Sequence, residues 1–241
     1  MKKSIIVSVN VKGGAKAELY DLCIKTQNLY AKKYGIDFEV IDKILSEKST
    51  NENKTIALKQ NCFYTKIKVL DYLKDYEQVL YLDSDIMILR DAENIFESYT
   101  NKSCFYGRQI HSEKPLKIIQ CYLDKYKIEW ERIRGYLVMY NGGVMLIGNK
   151  CDIVGYEKEY IIDSGTNDEG YFGYLIQKNK IENYDIGPLW NCTRKTTSDE
   201  EIYSKAYFLH YSGAGFATKA GMDKHFCKVL GDYNRYGLRK L

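Results

Sequence analysis

The sequence predicts an α/β fold with a mixed, mostly parallel central sheet flanked by helices. Three observations predict it. Apolar β-branched runs alternate with helical periods over the first 85 residues, the order βαβαβ. The chain's 241 residues suffice for a large buried core. Hydrophobic residues make up 45% and charged residues 28%, with only 2 Pro, which excludes a disordered, collagen-like or membrane chain.

Ser4 to Val11 is a β-branched run ending at Gly13-Gly14, a strand and then a turn. Ala17 to Tyr34 carries Leu19, Leu22, Cys23, Thr26, Leu29 and Tyr30 at three-and-four spacing, a helix closed by Gly35. Asp37 to Ile41 is a second strand, and residues 46–55 a polar loop. Cys62 to Leu73 is again helical in its spacing. Val79 to Asp85 is an apolar strand that turns acidic at its C-terminal end. Further on, Ser103 to Ile110, Tyr136 to Ile147 and Tyr207 to Ser212 read as strands. Asn167 to Lys178 and Gly221 to Leu230 read as helices, and residues 111–135 as a surface excursion near the substrate.

Composition narrows the function. The 36 basic and 32 acidic residues leave a net charge of +4, and no stretch gathers the basic ones into an arm, so nucleic acid is not an expected partner. The 7 Cys are scattered without a CxxC, which points to neither a disulfide framework nor a zinc site and fits a reducing compartment. The apolar part of MKKSIIVSVN is short and alternating, a strand rather than a secretion signal. No run of 18 apolar residues exists, so no transmembrane segment is expected and the location implied is cytoplasmic. A Walker loop and a GxGxxG fingerprint are both missing, which counts against ordinary NTPases and dinucleotide enzymes.

The strongest chemical signal is Val79-Leu80-Tyr81-Leu82-Asp83-Ser84-Asp85. Alternation along a strand puts Asp83 and Asp85 on one side, spaced to meet one hard divalent cation, Mn²⁺ or Mg²⁺. They end a parallel strand, where open α/β sheets bind ligands. Asn141-Gly142-Gly143 interrupts an apolar run. It reads as a hairpin turn, for which Asn-Gly is the favoured pair. Asp168 and Glu169 open a predicted helix, where capping calls for a carboxylate.

These blocks lie in an order that resembles glycosyltransferase family 8, the relatives of glycogenin and the lipopolysaccharide galactosyltransferases. Residues 64–89 are similar to the family's donor-site segment, and Tyr140 to Met145, Asn167 to Phe172 and His210 to Gly213 follow as three further blocks. The resemblance implies a GT-A (Rossmann-like) fold in one domain over residues 1–241. Residues 1–85 would be its nucleotide-binding half and residues 86–241 its sugar- and acceptor-binding half.

It implies a metal-dependent transfer of a hexose, glucose or galactose, from a UDP-sugar to an acceptor hydroxyl in glycan biosynthesis, with retention. The acceptor would be a glycan, a lipid-linked molecule or a protein. Asp83, Asp85 and His210 would be the metal ligands. The donor would be held by these three, by backbone from Val9, Asn10 and Val11, and by Lys66, Ser84, Asn141, Gly142, Gly143 and Gly213. Asp168 and Glu169 would be catalytic, with Glu169 standing where the family has Gln. Phe216 occupies the place of the family's diphosphate-binding Lys, a contact that Lys219 would take over. A catalytically inactive binding module of the same fold, or an inverting enzyme, is the alternative.

Overall fold

The computed structural model describes residues 2–11, 17–44, 61–62, 65–115, 117–153, 167–193, 200–212 and 228–234. Strand β1 (Lys2–Val9) is followed by helix α1 (Ala17–Tyr34) and strand β2 (Asp37–Ile41). Gly35, at φ 65°, ends the helix. Its N–H reaches Lys32 O and the N–H of Ile36 reaches Ala31 O, the paired bonds of a Schellman cap. Residues 65–67 are helical and run into a 3₁₀ helix, Lys68–Lys74. The tighter winding has a visible packing basis. Ile67, Leu70 and Leu73 recur every third residue, and at three residues per turn they form one straight apolar stripe on the core.

Strand β3 (Tyr76–Asp83) lies parallel to β1, and β1 lies parallel to β2, so Val9 sits in register with both Asp83 and Ile41. Alternation sorts the side chains of these strands. Ile5, Val7, Val79 and Tyr81 face one core, while Ile6, Leu80 and Leu82 face a second, on the side of Tyr30 and Ala31 of α1. The first strand ends two residues earlier than the apolar run, and β3 starts three residues earlier than Val79.

The chain then leaves this sheet. After a turn at Ser84-Asp85, β4 (Ile86–Ile88) enters a separate three-stranded sheet in the order β4-β10-β9, where β9 is Cys192–Thr193 and β10 is Phe208–His210. The short helix α2 (Ile95–Ser98) is capped by the Asn94 side chain, which accepts from Phe96 N at 3.1 Å.

Strand β5 (Phe105–Ser112) returns to the main sheet. Helix α3 (Lys117–Tyr126), strand β6 (Arg132–Ile133) and the long strand β7 (Tyr136–Gly148) follow. Residues 111–135 are therefore more than a surface excursion, since Ile118, Ile119, Tyr122 and Trp130 are buried in the core. Helix α4 (Asn167–Lys178) packs its Tyr174 ring 4.9 Å from that of Tyr122. Strand β8 (Asn183–Asp185) and helices α5 (Gly187–Trp190) and α6 (Glu200–Lys205) complete the chain up to β10, and residues 228–234 form a further helix, α7.

The main sheet runs β2-β1-β3-β7-β5-β8, with β6 on β7. The β1, β2 and β3 pairs and the β5–β8 pair are parallel, and β7 is antiparallel to its neighbours. This is the mixed α/β sheet flanked by helices that the sequence predicts. Asn141-Gly142-Gly143 does not turn. β7 runs through it, and β5 skips from Met145 to Asn141, so the strand bulges away from β5 here. Residues 46–55 and 221–227 lie outside the described residues. Among the described residues no helix is long and apolar enough to cross a membrane.

Candidate active site

Three elements meet at the carboxyl end of β3. The first is the acidic turn itself. Asp83 is the last residue of the strand, and Asp85 lies in the turn beyond it, so strand alternation alone does not pair them. The turn is braced from below by α1. Gln27, fully buried, donates from Nε2 to Asp83 O at 3.0 Å and to Ile86 O at 2.9 Å.

The second element is β10. Its antiparallel pairing puts His210 opposite Ile86, and Tyr211 N donates to Asp85 O at 3.1 Å. His210 is thereby carried to the acidic turn. Its Nε2 lies 3.4 Å from Asp85 Oδ1 and 3.9 Å from Asp83 Oδ2. Oxygens of the two carboxylates and a ring nitrogen of His210 all lie within 4.8 Å of one another.

The third element is the bulge of β7 with the start of α4. Lys66, 3% exposed, donates to Asp168 Oδ2 at 2.6 Å and to Asp83 Oδ1 at 3.1 Å. Tyr81 also donates to Asp83 Oδ1, at 2.7 Å, and its ring lies 4.6 Å beneath Lys66 Nζ. With Oδ1 taken by these two donors, Oδ2 is the oxygen turned to His210. Glu169 Oε1 accepts from Gly142 N at 3.3 Å and from Asn141 Nδ2 at 3.4 Å.

The two glycines of the bulge permit this crowding. A Cβ on Gly143 would overlap the His210 ring. One on Gly142 would stand 2.9 Å from Asp168 Oδ2 and 3.0 Å from Lys66 Nζ. The bare backbone here thus makes room first for the protein's own side chains.

The electrostatics follow from burial and crowding. Burial pushes the Asp83 carboxyl up, and neighbouring Asp85 adds to this, against Lys66 and His210. Burial acts the same way on Asp85, but His210 outweighs it and holds that carboxyl below the usual range. Burial would lower His210, yet Asp85 and then Asp83 raise it. Burial and the adjacent Asp168 push Glu169 up to about 7.

A divalent cation fits these residues. Four carboxylates (Asp83, Asp85, Asp168 and Glu169) face one lysine and one imidazole. Asp85 Oδ1 is buried and makes no hydrogen bond. Two carboxylate oxygens and one imidazole nitrogen converging on one point are a donor set for Mn²⁺ or Mg²⁺.

The remaining candidates divide. Val9 and Asn10 lie beside Asp83 at the end of β1, with Asn10 N bonded to Ile41 O, and Val11 packs on the core just beyond. Ser84 is in the acidic turn. Gly213 and Lys219 lie outside the described residues. Lys66 is no exposed lysine, since it is sealed between two acids. The sequence reading missed Gln27, Tyr81 and Asn191, which touch the site through Asp83 O, Asp83 Oδ1 and His210 Nδ1 respectively. Asn191 alone left a trace in the sequence, one amide inside the apolar run Leu189 to Cys192. A cleft of about 690 Å³ lies at the other end of α4, around Trp130, Gln177 and Lys178, and takes no part in this constellation.

No curated protein sequence matches the chain. Among solved structures, a glycosyltransferase involved in glycosylation of the major capsid of PBCV-1 superposes with a TM-score of 0.57 at 15% identity, over 93% of this chain and 98% of that one. The galactosyltransferase LgtC, in complex with donor and acceptor sugar analogues, superposes with a TM-score of 0.54 at 14% identity, over 99% and 97%. The bifunctional glycosyltransferase WbbM gives 0.53 at 10% identity, over 98% of this chain and 52% of that one. These likenesses show the GT-A fold. The sequence model of glycosyl transferase family 8 matches residues 8–150. With more than half its length matched, the chain belongs to glycosyl transferase family 8 and is a glycosyltransferase.

Proposed function

We propose that this glycosyltransferase moves a hexose, glucose or galactose, from a UDP-sugar to an acceptor hydroxyl with retention, using Mn²⁺ or Mg²⁺. One observation carries the reading: oxygens of Asp83 and Asp85 and a nitrogen of His210 converge within 4.8 Å, beside the buried Lys66–Asp168 pair. The ligands would be Asp83 through Oδ2, Asp85, and His210 through Nε2. A cation held there would act as a Lewis acid on the departing diphosphate.

The chain's own groups have separate tasks in this reading. Backbone at Val9 to Val11 holds the base, next to Asp83 in register. Ser84 lies between the two ligands, and Gly213 and Lys219 complete the diphosphate contacts. Asn141, Gly142 and Gly143 offer the donor sugar a flat surface with an amide at its edge. Asp168 lies under the reacting carbon, oriented by Lys66, and stabilises positive charge developing on the ring. Glu169, its carboxyl pushed up to about 7 by burial and by Asp168, donates a hydrogen bond to a sugar hydroxyl when protonated. The departing phosphate takes the acceptor's proton, so no side chain need serve as a strong base. Residues 1–85 and 86–241 act as the nucleotide and sugar halves of one domain, with a glycan, lipid-linked or protein acceptor.

The test is UDP release from UDP-glucose and UDP-galactose, with Mn²⁺ and with EDTA. Metal-dependent release is expected. No release across a donor panel, or equal release in EDTA, overturns the reading. NMR of the product anomer checks retention. An inverted product would reassign Asp168 or Glu169 as the base.

A further inference from the structure

Asn191 has no task in the reaction just described, yet it sits directly behind His210. Its side chain is buried, with the residue 2% exposed. Asn191 Oδ1 lies 2.9 Å from His210 Nδ1, and Asn191 Nδ2 donates to Asn141 Oδ1 at 2.9 Å. Gly143 N donates to the same Asn141 oxygen at 3.1 Å.

The direction of this chain of bonds is determined at its start. A backbone N–H can only donate, so the Asn141 atom it meets is the carbonyl oxygen. That oxygen can only accept, so the Asn191 atom that meets it is the NH₂ group. The other end of the Asn191 amide is then its oxygen, which also only accepts. His210 Nδ1 must therefore carry a hydrogen. A neutral imidazole protonated at Nδ1 has its lone pair on Nε2, the atom 3.4 Å from Asp85 Oδ1 and 3.9 Å from Asp83 Oδ2.

We propose that Asn191 is a positioning residue for the metal site. By accepting from Nδ1–H of His210 it turns the Nε2 lone pair toward Asp83 and Asp85, and through Asn141 it ties that ligand to β7. The inference rests on the metal reading above and adds to it the group that sets the tautomer of the third ligand. Partners of this kind, when removed, cost about 10–100-fold in metal affinity.

The test uses the full chain with ¹⁵N-labelled histidine, His210 being assigned among the 3 histidines by His210→Gln. In metal-free protein at alkaline pH, ring nitrogen shifts report the tautomer. Nδ1–H is expected in the wild type and in Asn191→Asp, which keeps an acceptor oxygen. Asn191→Leu is expected to show Nε2–H or a mixture. Mn²⁺ affinity, read from the EPR signal of free Mn²⁺, should fall about 10–100-fold in Asn191→Leu and less in Asn191→Asp, which keeps the acceptor for Nδ1–H but loses the donor to Asn141 Oδ1.

An Asn191→Leu protein with wild-type melting, the Nδ1–H tautomer and unchanged affinity overturns the proposal. Should that variant fail to fold, Asn191→Asp decides, and loss of the Nδ1–H tautomer in it overturns the proposal. The two readings fail separately. A wild type with Nδ1–H that binds no Mn²⁺ overturns the metal reading. A wild type that binds Mn²⁺ but carries Nε2–H when metal-free overturns the role of Asn191.

Discussion

Lys66 Nζ lies 2.6 Å from Asp168 Oδ2, although 102 residues separate the two along the chain. Both are nearly sealed from solvent, with side chains 3% and 8% exposed. Such a pair is costly to break from one side. Lys66→Met leaves Asp168 and Asp83 without the cation they share, and it should lower stability by about 3–5 kcal/mol. Adding Asp168→Asn should recover a large part of that loss. Chemical denaturation of both singles and the double measures the coupling, and additive losses would contradict it.

Asp85 supplies the least engaged oxygen of the cluster. Asp85→Ala should remove Mn²⁺-dependent UDP binding in calorimetry and lower kcat by roughly 10²–10³-fold. Unchanged binding would show that the cation does not sit there.

The two glycines of β7 predict unequal damage. A Cβ on Gly143 meets the His210 ring, which is packed and cannot move aside. A Cβ on Gly142 meets the ends of the Asp168 and Lys66 side chains. Gly143→Ala should therefore cost about 1–3 kcal/mol and weaken Mn²⁺ binding. Gly142→Ala should cost less stability and leave Mn²⁺ binding closer to normal, with its main effect on turnover. Melting curves and Mn²⁺ titrations rank the two.

Glu169 predicts a pH dependence. Burial, then Asp168, moves its titration from an ordinary 4.5 to about 7, with Lys66 and the Gly142 N–H opposing the shift. Between those values the folded state keeps a proton that the unfolded chain has released. Stability then falls as pH rises through the window and levels off above it. Glu169→Gln removes this term. The variant should overtake the wild type as pH climbs past 5, with a plateau advantage of about 1–3 kcal/mol above neutral. Parallel denaturation curves for the two proteins across that range would refute it.

Much of the fold was legible because its periods are local. The helix 17–34, strand 37–41 and helix 167–178 have the bounds their residue spacing implies. Strand ends were harder, since β1 stops at Val9 although Val11 lies two residues on in the same run, and the sheet partners decide where pairing ends. The Asn-Gly pair at 141–142 carries a turn signal, yet β3 pairs with β7 from Val144 to Gly148 and β5 pairs with it from Leu137 to Asn141, so the strand runs through. Long-range pairing outweighs a two-residue turn preference.

The amino-acid order by itself determined the pair of acids at the end of a buried strand, the glycine pair, the carboxylates at a helix start and the histidine in an apolar run. Each is a matter of neighbours along the chain. Only the tertiary structure decided that His210 stands beside Asp85, that Lys66 is shared by two acids, and that Asn191 lies behind the imidazole. Those contacts join residues brought together by a second small sheet and a bulged strand. No local spacing encodes which strand pairs with which, because that choice is made by burying the two cores together.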